Sequence, residues 1–500
     1  MRSHPVGLHW IDGVIIAAYA CGMIVFGFCY TRRQRSTSEF FTGGGAMNPL
    51  LIGVSLFATL LSTISYLSSP GEIIRNGPIM LTGALAIPIA YVICGYLLIP
   101  AFMRYRLTSA YELLESKLGL SSRLIGAAMF ITLRLMWMAT LLNFASNAML
   151  VMLAWESHWL LPITVVISSV ALFYSSLGGL RAVVITDFVQ FILLLGGALL
   201  VIVTVTFRMG GFEWFPTAWD EDWKTQPVFS FDPYLRLTVV GVVIMQSLWT
   251  ICTAGGDQTA IQRFMATRDA ASARRSYLVN SLVSLVVVVV LALVGLSLRG
   301  FFQTFPGQLP AGQTIAETAD QLFPHYIATQ LPVGVSGLLV SGMFAAAMSS
   351  VDSGVNSISA VVMTDFVNRF RARPIAGVAE VRTAQAITVI AGAIVIGGSM
   401  LIEYVPGNLL VVAKRVTGLL VTPIFTLFFM ALFVRRATAR GANAGALCGF
   451  LTAILVSFWN PLIEARSLSI TWINPTSLVV ALTVGCSVSV VSSKTITRPE

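Results

Sequence analysis

Charge is scarce in this chain. Lys, Arg, Asp and Glu supply 11% of its 500 residues while 56% are hydrophobic, whereas an ordinary soluble domain is about a quarter charged. No soluble fold could hide that much apolar surface. The residues that metal-dependent and nucleophilic enzymes draw on are also few, with four His and six Cys. His4, His9, His158 and His325 lie near the N-terminus or between apolar blocks. Cys21, Cys29, Cys94, Cys252, Cys448 and Cys486 lie in or beside those blocks without metal-type spacing. The cysteines read as packing residues, and no metalloenzyme ligand set remains. No cluster of nucleophile, histidine and carboxylate is visible, so an enzyme is the least supported class and no cofactor is implied. No linker, charge run or low-complexity segment divides residues 1–500, which read as one domain.

What the chain does have is apolar sequence in long blocks. Residues 188–207 and 278–298 each meet the roughly 20 apolar residues needed to cross a hydrocarbon core about 30 Å thick. About thirteen such blocks occur, near residues 10–30, 49–70, 79–103, 122–154, 159–178, 183–208, 235–257, 274–300, 331–368, 382–404, 407–434, 441–460 and 470–492. An all-α integral membrane protein embedded in the lipid bilayer follows.

The basic residues set an orientation. Arg32, Arg33 and Arg35 follow the first block instead of preceding it, so that block is not a cleaved signal and the N-terminus lies outside. Carried forward through thirteen spans, the loops called cytoplasmic collect Arg104, Arg106, Lys117, Arg123, Arg263, Arg268, Arg274, Arg275, Arg369, Arg371, Arg435 and others. The opposite loops hold few, among them Arg75, Arg208, Lys224, Arg236, Arg299 and Arg466. The formal charge of +9 is therefore a membrane-topology signal, and nucleic-acid binding is not expected.

Three segments break the rules of an ordinary membrane helix. Residues 55–71 (SLFATLLSTISYLSSPG) crowd hydroxyls into one span and end in Pro-Gly, and residues 249–257 (WTICTAGGD) are also hydroxyl-bearing and glycine-interrupted. Unwound backbone at membrane depth is tolerated where it lines a cavity, and its freed carbonyls can then ligate a cation. Hydroxyls and paired glycines can equally serve helix packing. Residues 344–357 (FAAAMSSVDSGVNS) combine small residues with Ser349, Ser350, Asp352 and Ser353, oxygen donors suited to a hard cation such as sodium.

These three segments, with residues 175–187 (SSLGGLRAVVITD), resemble the sodium:solute symporter family, in order and over nearly the whole chain. The resemblance implies a LeuT-like inverted repeat of five plus five helices. An extra first helix would lie at 10–30, the first repeat at 49–208, the second at 235–434 and two C-terminal helices at 441–492. It implies sodium-coupled import of a small organic solute by alternating access. A channel or a symporter-like sensor is the alternative; a channel would need a continuous polar pore and a sensor an attached signalling domain, which is not expected after the last block.

Carried over residue by residue, the resemblance implies a sodium site of the main-chain oxygens of Ala58, Leu61 and Ala346 and the hydroxyls of Ser349 and Ser350. A second cation site would use Asp187, Ser349 and Ser353, with Asp352 standing where sialic acid symporters have serine. Solute would bind near Thr59, Ser62, Thr63, Ser65, Tyr66, Thr250 and Thr253. Arg134 lies eleven residues beyond Arg123, about 16 Å along a helix and hence at mid-membrane. An arginine there needs a carboxylate partner, with Asp187 and Asp352 as candidates, or a cavity or an anionic solute. An anionic solute is therefore favoured over a neutral sugar or polyol. Sialic acid itself is not implied, because Trp137 takes the place of the arginine that binds its carboxylate in that branch and Ala84 replaces a glutamine. Lys414 and Arg415, about 31 Å of helix from Arg435, are expected to snorkel at the outer surface, with a role in a vestibule as the alternative. Residues 301–330 form the expected outer lid, with a short helix near 314–322.

Overall fold

The computed structural model describes residues 7–31, 47–60, 63–105, 109–223, 225–310, 312–373, 375, 377–463 and 466–496. Every regular element among them is helical. Ten helices are long and apolar enough to span a bilayer, and a pair bent by 59°, Pro49–Thr59 with Ile64–Asn76, makes an eleventh span. The two remaining blocks read from sequence are apolar helices of shorter described length, Trp10–Met23 and Ser157–Leu172.

The helix α1 (Trp10–Thr31) precedes the first broken span, made of α2 (Pro49–Leu60) and α3 (Thr63–Asn76). The break falls between Leu60 and Thr63, whereas Pro70 and Gly71 lie inside α3. The Pro-Gly pair serves packing instead: a Cβ on Gly71 would sit 2.9 Å from the Asp320 Cα. After a 3-10 stretch, Pro78–Leu85, come α4 (Ala86–Ile93), α5 (Ile99–Met103), the connecting helix α6 (Tyr111–Leu118) and α7 (Leu120–Leu153). The next helix, α8 (Leu160–Arg208), has 49 residues, which as a straight rod would be about 74 Å long. Thr164 near its start meets Ser146 near the end of α7, and Leu8 bonds to Met152 there. Arg208 at its other end meets Gln330, close to Gly334, which bonds Asp12. Both ends thus lie at one face, and the two apolar stretches of α8 cross in opposite directions.

The second broken span is α9 (Val239–Gly256) and α10 (Gln258–Met265). Asp257 separates them in extended backbone and caps α10, its Oδ1 accepting from Thr259 N at 2.8 Å. There follow α11 (Ala270–Thr304), α12 (Ile315–Gln330), α13 (Val335–Val361), α14 (Val378–Leu401), α15 (Leu409–Gly418), α16 (Val421–Phe433), α17 (Ala439–Ser457), α18 (Trp459–Ile463) and α19 (Ile473–Ile496). The expected lid helix is α12, started by a reciprocal cap between Thr314 and Glu317.

Helix packing follows a reciprocal rule. α11 packs along the first broken span, and the 78–93 stretch packs along the second. α7 packs on α14 while α13 packs on α8, and α2 packs on α8 while α9 packs on α16. Exchanging the two sets of five spans preserves these pairings, as an inverted repeat requires. Outside the sets, α17 and α19 pack on each other, and α1 lies against α8 and α13. Asp12 of α1 accepts from Gly334 N at 2.7 Å and Gly337 N at 2.8 Å, capping the start of α13.

Some charges assigned to loops are buried inside helices. Arg299, counted with the opposite loops, is 3% exposed in α11. Arg263, counted with the cytoplasmic loop charges, is 1% exposed inside α10. The second broken span continues past Asp257 and carries that arginine into the protein, which the end of the apolar run at residue 257 concealed.

Candidate functional site

The two broken spans border a cavity of about 1370 Å³ of empty space including its mouth. Ser65, Ser68 and Ser69 of α3, Gln246, Trp249 and Thr250 of α9, Asn280, Ser281 and Ser284 of α11, Trp137 of α7 and Lys414 of α15 line it. Among the described residues, Lys414 is the only charged side chain in that lining. Its Nζ donates to Gln246 Oε1 at 3.2 Å and stands 4.9 Å from the Trp249 ring centre. The buried indole N–H groups of Trp137 and Trp249 have no hydrogen-bond partner. An indole N–H can only donate, and no carboxylate is among the described lining residues.

A smaller pocket of about 280 Å³ adjoins this cavity through Trp137, Trp249 and Thr417. It contains Arg134, Asp257 and Thr253, whose hydroxyl lacks a partner. Arg134 is buried as its depth in α7 implied, but the carboxylate it bonds is Asp257, not Asp187 or Asp352. The pair therefore ties α7 to the break in the second span.

The residues expected to bind solute divide accordingly. Ser65 and Thr250 face the large cavity, and Thr253 and Arg134 the smaller pocket. Tyr66 instead donates to Leu194 O at 3.0 Å and lines a separate apolar pocket with Phe57 and Ala58. Thr59 is 1% exposed and points away from the cavity, its hydroxyl 3.2 Å from that of Ser353. Ser62 and the Thr63 side chain lie outside the described residues.

The expected sodium ligands are partly described. Ala346 and Ser350 are buried on α13, which packs on α2, and the Ser350 hydroxyl has no hydrogen-bond partner. Ala58 lies on α2 next to Thr59, and the Thr59 to Ser353 contact draws α2 against α13. Leu61 and the Ser349 side chain lie outside the described residues. Among the candidates for a second site, Asp187 accepts from Ser55 Oγ at 2.5 Å, and Asp187, Asp352 and Ser353 are all buried. Arg263 stands between them: its Nη2 donates to Thr59 Oγ1 at 2.5 Å and Ser353 Oγ at 2.9 Å and lies 3.6 Å from Asp187 Oδ2.

Away from the cavity, a charged cluster joins α6 to the end of α13. Arg123 bonds Asp365 and Glu115, each at 2.6 Å, and Arg369 also bonds Glu115 at 2.6 Å. The Arg369 and Arg123 guanidiniums hold the Glu115 carboxyl well below its ordinary value, at about 2.

A sequence model of the sodium:solute symporter family matches residues 40–449. The chain belongs to this family. It is a sodium-coupled solute symporter, a multi-pass protein of the plasma membrane and not an enzyme. The sodium/sialic acid symporter SiaT of Proteus mirabilis is 26% identical over 477 residues, 92% of each chain. The sodium-coupled monocarboxylate transporter 1 of Mus musculus is 27% identical over 431 residues, 85% of this chain and 68% of that one. A solved substrate-bound, outward-open structure of a sodium-coupled sialic acid symporter superposes with a TM-score of 0.81 at 25% identity, covering 96% of this chain and 98% of that one. The LeuT-like fold is thereby established for this symporter.

Within the symporter, Lys414 is a further residue whose place differs from the favoured expectation and agrees with the vestibule alternative. It was assigned to the outer surface from its height along the membrane, yet it borders the main cavity. Height is readable from helix length; whether lipid or a cavity lies beside a residue is not. Gln246, Asn280 and Ser284 were missed for the same reason, since a polar residue in a long helix carries no mark of the direction it faces.

Proposed function

We propose that this symporter imports a small organic anion, bound in the large cavity with Lys414 as its counter-charge. The observation that supports this most is the lining itself, which among the described residues holds one lysine and no carboxylate. Arg134 is not needed for that role, because Asp257 already neutralises it. The names of the relatives, a sialic acid symporter and a monocarboxylate transporter, point the same way. Sodium would bind the main-chain oxygens of Ala58, Leu61 and Ala346 and the hydroxyls of Ser349 and Ser350. The buried, unpartnered Ser350 hydroxyl supports it, since an unsatisfied buried hydroxyl is costly without a ligand.

In this reading the repeats run 49–208 and 235–434, the N-terminus is outside and the C-terminus cytoplasmic, as the Arg-rich loops favour. Sodium bound between α2 and α13 would join the repeats and shape the adjoining cavity, and rocking of the two halves would release both ligands inside.

The experiment is a thermal-shift series on purified protein with carboxylates, sugars and polyols, in sodium and in potassium. Sodium-dependent stabilisation by carboxylates, lost in Lys414→Met, is the expected result; binding to the native state must raise its stability. Equal stabilisation of Lys414→Met by the same carboxylates, or stabilisation by neutral sugars alone, would overturn the anionic reading.

A further inference from the structure

An arginine on the outer, apolar side of the helix bundle lacks a protein partner. Two apolar stripes run side by side where α11 packs along the Pro78–Met103 span. Leu85, Ile89 and Val92 form one, and Leu278, Leu282 and Leu285 of α11 form the other, all of them exposed. Each stripe continues at helical spacing into a polar side chain, Tyr96 in the first and Arg274 in the second. The two meet, with the Arg274 guanidinium carbon 4.6 Å from the Tyr96 ring centre.

The platform under that guanidinium is packed from both sides. Gly95 lies in a π-helical turn, Cys94–Leu98, and the Arg274 stem runs across it, so that a Cβ on Gly95 would stand 3.3 Å from Arg274 Cγ. Tyr96 packs edge-on against Tyr91, which stacks on the buried Tyr277. Tyr277 also lines the large cavity, so the platform and the cavity share a wall. Among the described residues Arg274 has no hydrogen-bond or ion-pair partner. The carboxylate nearest in sequence, Asp269, accepts from Ser272 N as the cap of α11. Tyr96 lies about 10 Å of helix from the end of its span at Met103. In a bilayer about 40 Å across with its headgroups, that is the boundary between headgroups and acyl chains. An unpaired guanidinium is expensive there.

We propose that Arg274 and Tyr96 hold the phosphate of an anionic phospholipid whose acyl chains lie along the two stripes. A guanidinium fork matches a phosphate, and the tyrosine hydroxyl can donate to it. The apolar stripes select a lipid over a free phosphate, and the uncompensated positive charge selects an anionic headgroup over a zwitterionic one. In the orientation proposed above this lipid belongs to the inner leaflet, because α11 starts on the arginine-rich face.

Native mass spectrometry of the purified full-length chain, titrated with dioleoyl phosphatidylglycerol or dioleoyl phosphatidylcholine, tests this. Wild type should take up one phosphatidylglycerol ahead of any phosphatidylcholine. Arg274→Gln should bind it about fivefold more weakly, which corresponds to about 1 kcal/mol for one arginine at a membrane surface. Tyr96→Ala keeps the charge but removes the platform, and it should weaken binding as well. Arg382→Gln, which removes an exposed arginine of α14, should bind as wild type does. Equal uptake of the two lipids by wild type would overturn the proposal. So would undiminished phosphatidylglycerol binding in Arg274→Gln or Tyr96→Ala, or an equal loss in Arg382→Gln, since each leaves only the general attraction of a basic face. Should Arg274→Gln fail to fold, the lipid preference of wild type and the binding by Tyr96→Ala decide.

Discussion

Cutting the ion pair between Arg134 and Asp257 tests how the hinge is held. The two side chains are 4% and 5% exposed, so removing either one strands the other charge in the protein interior. That should cost ~3–5 kcal/mol for Arg134→Met or Asp257→Asn alone. Asp257 also caps α10 through Thr259 N, and Asn retains an oxygen for that cap, so the loss in Asp257→Asn reports mainly on charge. Removing both charges leaves no stranded partner, and the double variant should be more stable than the sum of the single losses implies by ~3 kcal/mol. Equilibrium unfolding in mixed detergent micelles measures all four proteins. Additive losses, or single losses below ~1 kcal/mol, would refute the pairing as a buried structural contact. Solute affinity adds a second readout, because Arg134→Lys keeps the charge but loses the planar fork that matches a carboxylate. A sharp fall in solute affinity at unchanged stability would make Arg134 a reader of the solute.

Three further outcomes are expected. Ser350→Ala should raise the sodium concentration needed for half-maximal transport without changing thermal stability in potassium; an unchanged half-saturation point would remove Ser350 from the site. Trp137→Phe keeps the ring but deletes the unpaired N–H, and it should weaken carboxylate binding several-fold (about 1 kcal/mol for one hydrogen bond) in an isothermal titration, while an unchanged affinity would leave Trp137 as wall only. Glu115 titrates near 2 when folded against 4.5 for the free group, so its contribution is present above pH 4.5 and is lost as pH falls from about 4.5 to 2. Thermal unfolding of Glu115→Gln should therefore show lower stability than wild type at neutral pH and a narrowing gap across that acid window, and a pH-independent gap would contradict the assignment.

Much of the architecture was legible because it rests on one-dimensional signals. Apolar run length marked the spans, the Arg bias suggested an orientation, and hydroxyl-rich or glycine-paired sequence marked both broken helices. The break near Asp257 fell where the sequence indicated, while Pro70 misled because its partner Gly71 answers to the backbone of α12. The candidate site was legible only in part. Arg134 was recognised as needing a partner, but Asp257 is 123 residues away, and nothing local distinguishes it from Asp187 or Asp352. Arg263 looked like a loop charge because α10 is short and polar, with a buried face that only its packing against α2 and α13 reveals. Lys414 was given its height in the membrane but not the direction it faces.

The coupling between sodium and an organic anion is tested most directly by uptake into proteoliposomes under an inward sodium gradient with the membrane potential set independently. One sodium ion moving with one monovalent anion carries no net charge. A tenfold sodium gradient, about 1.4 kcal/mol, then supports about tenfold accumulation whatever the potential. A neutral solute moving with one sodium would gain a further ~2.3 kcal/mol per 100 mV. The expected result is accumulation of a carboxylate that collapses with the sodium gradient, its dependence on the potential counting the sodium ions that accompany each anion. Uptake that persists in potassium, or accumulation of a neutral sugar and not of a carboxylate, would contradict the account.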